Sequence, residues 1–238
     1  MNLFDVCAKR LTRDTDHVLD ILFPPVCLSC NAPIKNQKQL LCDRCMGMIS
    51  LNDALVCPQC NARIPTHTMR CHPTPYVLAP ASAYHDPIPA LIHHYKYSRI
   101  ASVRPFLVAI LIAYSQRIGI PLKEATLTWV PLHPKKLRAR GFNQSRQLAE
   151  TIADYTGATT AGMLKKRIDH LPQARMSSQQ KRWDNIKGTF ELIPKTQVPK
   201  TVIVVDDVST SGATLTEIAK ILKSAGARRV IGLVVAHA

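Results

Sequence analysis

Four consecutive apolar residues, Val202–Val205, run directly into two aspartates, Asp206 and Asp207, and then into Val208-Ser209-Thr210-Ser211-Gly212-Ala213-Thr214. A short β-branched run with no alternation is the pattern of a strand covered on both faces, which calls for a parallel sheet with helices on either side. Leu215, Ile218, Ala219 and Leu222 then recur at helical spacing. Strand, tight loop and helix N-terminus in that order aim backbone N–H groups at one point, an arrangement that suits a phosphate. Thr210, Ser211 and Thr214 add hydroxyl donors beside Ser209 and Ala213, and Gly212 lets the backbone approach closely. The two carboxylates cannot bind a phosphate directly. They suit polyol hydroxyls, such as those of a ribose, or a phosphate-bound Mg²⁺. There is no Gly-Lys-Ser/Thr of a Walker A loop and no Gly-rich dinucleotide fingerprint.

A different chemistry occupies the first third of the chain. Residues 27–72 hold few large apolar side chains but three Cys-x-x-Cys pairs: Cys27/Cys30, Cys42/Cys45 and Cys57/Cys60, with Cys71 beyond. Thiolates two residues apart grip a tetrahedral ion from one turn, and two such turns complete its shell. Cys27, Cys30, Cys42 and Cys45 form a complete four-thiolate set. Cys57, Cys60 and Cys71 form three-quarters of a second, with His72 or His67 as the fourth ligand; pairing across the two sets is an open alternative. One or two Zn²⁺ are expected. With every ligand consumed in closing the shell, the zinc is structural and substitutes for a hydrophobic core. Cys7 stands apart and reads as a buried structural cysteine.

The 238 residues leave room for one α/β domain and a small module. No apolar run reaches bilayer length, and the N-terminus lacks the apolar core of a signal peptide, so no membrane insertion and a cytoplasmic location are expected. The formal charge of +15 points to an anionic partner. It is concentrated: between His133 and Lys187 there are twelve Lys/Arg and four acids. Lys135, Lys136, Arg138, Arg140, Arg146, Lys165, Lys166, Arg167 and Arg182 are the candidates to contact a nucleic-acid backbone, and Phe142, Tyr97 and Trp183 could stack on bases.

In chain order, residues 2–22 read as an amphipathic helix ended by Pro24-Pro25, within an N-terminal unit 1–25; a zinc-ribbon module covers 26–74, and a larger domain 75–238. The sequence predicts a strand over Tyr76–Tyr84 and helical spacing over Asp86–Tyr97 that ends in Lys96-Tyr97-Ser98-Arg99. It predicts a helix over Ala101–Ile118, a buried strand over Thr126–Leu132, a basic loop over His133–Gln144 and a helix around Ser145–Tyr155. A short strand over Ala158–Lys166, a mobile loop over Arg167–Gln180, the signature strand and its helix to Gly226, and a strand over Arg229–Val235 follow. Strands alternating with helices argue a parallel sheet.

The stretch around Asp206–Thr214 resembles the 5-phosphoribosyl-1-pyrophosphate (PRPP) signature of type I phosphoribosyltransferases. The cysteine knuckles, Tyr95-Lys96-Tyr97, Val130-Pro-Leu, Arg140-Gly-Phe-Asn-Gln144, Gln173…Arg182…Asn185…Phe190 and that signature occur in one order. From Cys27 onward this resembles the ComF (ComFC) family of competence-associated proteins, with a double zinc ribbon and a phosphoribosyltransferase-like domain. The resemblance implies a type I phosphoribosyltransferase-like parallel sheet flanked by helices, and a cytosolic protein that handles incoming single-stranded DNA in natural transformation. A helicase or strand-loading factor as partner is implied by the resemblance alone. It also implies that Asp206 and Asp207 orient a ribose, that Ser209–Thr214 hold a 5′-phosphate, and that Lys96 and Arg140 contact the pyrophosphate, with Mg²⁺ accompanying PRPP. The usual closing Cys-x-x-Cys of the second ribbon is Cys71-His-Pro-Thr74 here. Thr210 stands where purine-type relatives place an aspartate, and a threonine cannot be a general base at neutral pH. Three readings therefore stand side by side: a DNA-handling protein with a PRPP-type pocket, a salvage phosphoribosyltransferase and a PRPP-sensing regulator.

Overall fold

The nine-residue strand Thr201–Ser209 is the centre about which the other elements assemble. In the computed structural model, which describes residues 24–35, 38–64, 72–98, 100, 102–168 and 186–238, Val202, Ile203, Val204 and Val205 are each at most 1% exposed. The regular elements in chain order are α1 (Asp43–Gly47), β1 (Leu55–Val56), β2 (Arg63–Ile64), β3 (Val77–Ala83), α2 (Ile88–His93) with a π-helical continuation (His94–Ser98), α3 (Val103–Arg117), β4 (Thr126–Trp129) and α4 (Pro134–Arg140). They continue with α5 (Gln144–Thr156), β5 (Thr159–Thr160), β6 (Leu164–Lys166), β7 (Phe190–Leu192), β8 (Thr201–Ser209), α6 (Ala213–Ser224) and β9 (Arg229–His237).

The main sheet runs β2-β1-β3-β9-β8-β4-β5. Its five strands from β3 to β5 pair in parallel, with Val204 opposite Gly232 of β9 and Thr128 of β4. The alternation of β8 explains the two layers of helices. Ile203 and Val205 pack with residues of α3 and α5, such as Leu107, Ile110, Leu148 and Ile152. Val202 and Val204 pack with Ile218, Ala219 and Leu222 of α6. Gly226, at φ +108, ends that helix as expected of a C-terminal glycine.

The cysteine-rich segment is joined to this sheet. β1 and β2 form an antiparallel hairpin around the turn Cys57–Ala62, and Val56 pairs antiparallel with Leu78 of β3. Asn52 donates its N–H to the Ala81 carbonyl (2.9 Å) and its Nδ2–H to the Pro80 carbonyl (2.8 Å), while Tyr114 Oη donates to the Ala54 carbonyl (2.8 Å). Leu40, Leu41, Leu55 and Ile64 share the hydrophobic cluster of α3 and α5.

Three boundaries differ from the sequence-based expectation. The basic run after β4 is helical over Pro134–Arg140, started by proline at its first turn and closed by Gly141 in the left-handed region (φ 84), instead of a loop. Ala158–Lys166 is two strands, with Gly162 between them packed on the Trp129 ring; β5 joins the main sheet and β6 pairs antiparallel with β7. The signature strand runs on through Asp206, Asp207 and Val208 to Ser209, so both aspartates are strand residues. The expected N-terminal helix and most of the 167–180 loop lie outside the described residues.

Candidate phosphate-loop and cysteine-cluster sites

β8 hands the chain to β9 on one side, and β4 hands it to β5 on the other. The strand order therefore reverses between β8 and β4, which opens a crevice at their carboxyl ends. Three segments meet there: the π-helical stretch after α2, the start of α5, and the loop after β8.

Asp206 is half-buried. Its Oδ1 accepts from Ser145 Oγ (2.7 Å) and from the Asp207 N–H (2.9 Å). Burial, and next the charge of Asp207, push its pKa up to about 7 against the pull of the Ser145 hydroxyl. Asp207 is 7% exposed, and its Oδ2 accepts from Lys96 Nζ at 2.7 Å. Burial works against the Lys96 ammonium, but the attraction of Asp207 outweighs it and holds the pKa above the ordinary lysine value. Lys96 is set by its neighbour: Tyr95 Oη, buried, donates to the Gln144 carbonyl (2.9 Å) and ties the π-helical stretch to α5. Asn143 caps α5, its side chain accepting from the Arg146 N–H (3.2 Å) and donating to the Val130 carbonyl (3.0 Å).

Asp206 and loop residues 208–215 line a small hollow. Gly212 sits at φ +72 as the N-cap of α6, with no capping side chain. The start of this helix therefore has no side-chain cap from its N-cap residue, and helix N-termini of this kind suit an anion. A Cβ on Gly212 would meet Tyr76 Oη at 2.9 Å, so the loop lies tightly on that ring. Ser209 Oγ, in a residue 4% exposed, has no hydrogen-bond partner among the described residues. A buried hydroxyl without a partner, beside an uncapped helix end, fits a bound oxyanion. A roomier cavity of about 570 Å³ lies between α3 and the end of α5, lined by Val108, Ile112, Leu122 and Tyr155 among others. It is mainly apolar.

Arg140 Nη1 donates to Gln144 Oε1 (2.8 Å), and its guanidinium stands 5.2 Å from the centre of the Tyr97 ring. Lys135 and Arg138 project from α4 into solvent, and Lys136 is half-buried. Arg146 pairs with Glu150 (2.8 Å) and covers Trp129. Lys165 and Arg167 share Glu191, at 2.6 and 3.3 Å, and Lys166 lies over Phe190. The hydrogen bond from Lys165 is the main cause that holds the Glu191 carboxyl below its usual range. Basic residues adjacent in sequence are therefore divided between α4–α5 and the β6–β7 sheet; Arg182 lies outside the described residues.

Sulfur atoms of Cys27, Cys30, Cys42 and Cys45 all lie within 4.8 Å of one another. Cys42 also caps α1. Burial pushes the Cys27 thiol up, but backbone N–H groups of Cys30, Cys42 and Ser29 bring it down to about 6; burial pushes Cys45 up to about 12. Four sulfurs this close together, from two Cys-x-x-Cys turns, fit one tetrahedral divalent cation. Cys57, Cys60 and His72 form the second group, with His72 Nδ1 3.4 Å from Cys57 Sγ. His72 is therefore brought into the set; Cys71 and His67 lie outside the described residues.

Sequence reasoning did not single out Ser145, Tyr76 or His237. Ser145 directly follows the Arg-Gly-Phe-Asn-Gln block, a position next to a recognised motif. Tyr76 and His237 carry no local signal, because their roles depend on sheet pairing.

The double zinc ribbon domain family matches residues 18–74, and the phosphoribosyl transferase domain family matches residues 145–238. The chain is 29% identical over 217 residues to DNA utilization protein YhgH of Escherichia coli K12, covering 87% of this chain and 94% of that protein. It is 26% identical over 216 residues to competence protein F of Haemophilus influenzae, covering 86% and 93%. With competence protein ComFC of Streptococcus pneumoniae it shares 32% identity over 110 residues, covering 45% and 46%. Among solved structures, an allosteric regulatory enzyme of purine biosynthesis aligns at a TM-score of 0.36 and 22% identity over 56% of this chain and 25% of that one, a likeness too slight to bear on function. Among the described residues no helix is long and apolar enough to cross a membrane. A double zinc ribbon match ahead of a phosphoribosyl transferase domain match, with relatives of these names along most of the chain, is the combination that the resemblance to the ComF family leads one to expect.

Proposed function

We propose that this ComF-type protein binds and handles incoming single-stranded DNA in DNA uptake, and that the hollow after β8 binds PRPP or another 5-phosphoribosyl ligand. The observation that carries the pocket is the join of β8 to α6. A helix that starts at an uncapped left-handed glycine, beside a buried hydroxyl without a partner, is built to receive an oxyanion. In this reading the helix N–H groups and the hydroxyls of Ser209, Thr210, Ser211 and Thr214 hold the 5′-phosphate. Asp206 and Asp207 accept from the ribose hydroxyls. Ribose at Asp207 competes with Lys96, which then turns to the anionic end of the ligand. Carboxylate oxygens of Asp206, which lines the same hollow, suit a ligand-bound Mg²⁺. Mg²⁺ supplies charge neutralisation of the phosphates.

For DNA, the reading rests on the exposed Lys135 and Arg138 of α4 and on Tyr97, 63% exposed beside Arg140, as a surface on which a base can stack. The names of the competence and DNA utilization relatives support it. It assigns the protein to the cytoplasm, where cysteine ligands stay reduced, with a helicase or strand-loading factor as partner.

Titration calorimetry with PRPP and Mg²⁺ tests the pocket. Heat from the wild type that disappears in the double variant Asp206→Asn/Asp207→Asn supports it; no heat from the wild type overturns it. A transformation assay comparing deletion with the same double variant then asks whether the pocket serves DNA uptake. Base-dependent release of pyrophosphate would make the protein a transferase, and binding without turnover a sensor.

A further inference from the structure

The two cysteine knuckles repeat one six-residue turn, Cys27-Leu-Ser-Cys-Asn-Ala32 and Cys57-Pro-Gln-Cys-Asn-Ala62. In each, the asparagine N–H donates to the first cysteine's carbonyl (2.9 Å in both), and that cysteine's N–H donates to the alanine carbonyl (2.8 and 2.9 Å). Asn31 and Asn61 hold the same left-handed conformation, at φ 59 and 58. Their surroundings differ. Asn31 is exposed, and no side-chain bond among the described residues ties it to the large domain. Asn61 Oδ1 stands 3.3 Å from His237 Nε2, and Nδ1 on the other side of that ring is 3.0 Å from the Ser209 carbonyl. The same carbonyl accepts the Ala238 N–H at 2.9 Å. Ser209 is the residue at which β8 becomes the phosphate loop.

A second link runs alongside. His72 faces Cys57 at one end of a short stretch, and Tyr76, at the other end, lies under Gly212 with its Oη 3.4 Å from the Gly212 carbonyl. Between them Thr74 Oγ1 donates to the Tyr76 carbonyl (2.8 Å).

We propose that Asn61 and His237 are positioning residues that couple metal occupancy at Cys57, Cys60 and His72 to the shape of the phosphate loop. The proposal rests on the reading of residues 209–214 as a phosphate loop. A carbonyl only accepts, so His237 gives its Nδ1–H to Ser209. In the neutral ring Nε2 then accepts, and the Asn61 amide, turned by half a revolution, supplies the N–H. A metal ion that joins Cys57, Cys60 and His72 fixes the knuckle and keeps Asn61 in a conformation disfavoured for a non-glycine residue. Without the ion that turn relaxes, Asn61 withdraws, the imidazole is free to swing, and the Ser209 carbonyl loses one of its two donors. Zinc in the second ribbon thereby raises phosphoribosyl affinity at a site it does not touch.

The test uses the whole chain and five variants: Asn61→Ala, His237→Asn, their combination, Asn31→Ala as the control in the other knuckle, and Cys60→Ser. His237→Asn removes the ring that donates to the Ser209 carbonyl and reaches Asn61. Hydrogen exchange of the 209–214 amides, PRPP affinity with Mg²⁺ and zinc content are measured on each. Asn61→Ala and His237→Asn each raise loop exchange and weaken PRPP binding by up to about tenfold, the worth of one hydrogen bond. The double variant is no worse than either single one, because both cut the same link. Zinc content is unchanged, and Asn31→Ala leaves the loop as it was. Cys60→Ser, which removes the second metal, repeats the loop effect. Unaltered loop exchange in Asn61→Ala and His237→Asn, additive effects, or the same change in Asn31→Ala overturns the proposal. If the wild type gives no PRPP heat, the phosphate-loop reading has failed, and the exchange data alone decide the coupling.

Discussion

Lys96 Nζ lies 2.7 Å from Asp207 Oδ2, and it is the ammonium that neutralises an aspartate pair at the carboxyl end of the central strand. Its pKa is raised, so the pair is fully formed below the unfolded lysine value and is lost only as pH climbs through the higher folded one. Lys96→Met leaves Asp207, 7% exposed, beside Asp206 without a counter-charge. Both side chains keep some solvent contact, so the expected loss is about 1–3 kcal/mol, below that of a fully buried pair. Urea unfolding at about pH 8 and about pH 5 measures it. The loss shrinks at the lower pH, where protonation of Asp206 relieves the repulsion.

Asp206→Asn separates stability from binding. Its folded pKa of about 7 lies above the unfolded value of 3.8. Between these the folded chain holds a proton that the unfolded chain has released, so stability falls as pH rises through that window. The asparagine keeps acceptors for Ser145 and the Asp207 N–H and removes the charge. Its Tm is expected to exceed the wild-type value by a few degrees at about pH 8 and to match it near pH 4. PRPP binding is lost at both. A lower Tm at pH 8 would contradict burial of the charge as the dominant effect.

Gly212→Ala meets two obstacles. A side chain at φ +72 is strained, and the new Cβ falls 2.9 Å from Tyr76 Oη. A loss of about 1–2 kcal/mol is expected from the backbone alone, together with loss of PRPP binding. Adding Tyr76→Phe removes the oxygen and leaves the dihedral strain. Stability of the double variant should therefore recover only in part, as read by thermal unfolding.

The central strand, the phosphate loop and the first cysteine set were legible because each is local: a β-branched run, a loop with one glycine, paired thiols two residues apart. What the sequence hid depends on pairing between distant segments. The apolar run stops at Val205, yet Asp206 and Asp207 lie on β8 because β9 continues alongside as far as His237 opposite Ser209. Lys165, Lys166 and Arg167 read as one basic run with a nucleic-acid role. Glu191 on the paired strand β7 and the Phe190 ring engage them, and neither is near in sequence. The 134–140 helix was missed because four cations among seven residues look like a solvated loop, while proline at the start and Gly141 at the end delimit about two turns.

Removing metal from the first cluster should disturb more than the ribbon. Cys27 is 0% and Cys45 4% exposed, within the cluster that also holds Leu107 and Leu148. Cys45→Ser lowers zinc content by one ion per chain and makes unfolding less cooperative, as followed by elemental analysis and near-UV dichroism. Chelation of the wild type has the same direction of effect. A variant with full zinc content would remove Cys45 from the ligand set.

Single-strand binding is expected to fall steeply with salt. Lys135 and Arg138 are exposed on α4, and if each neutralises one phosphate, the double variant Lys135→Ala/Arg138→Ala lowers the slope of log K against log salt by about 1.4 at about 0.7 per contact. Lys165→Ala has a smaller effect, since Glu191 already satisfies that ammonium at 2.6 Å. Fluorescence anisotropy on an unstructured oligonucleotide between about 50 and 200 mM salt reads both slopes. A wild-type slope near zero removes DNA from the α4 surface, and an equal effect of Lys165→Ala moves the contact to the β6–β7 sheet.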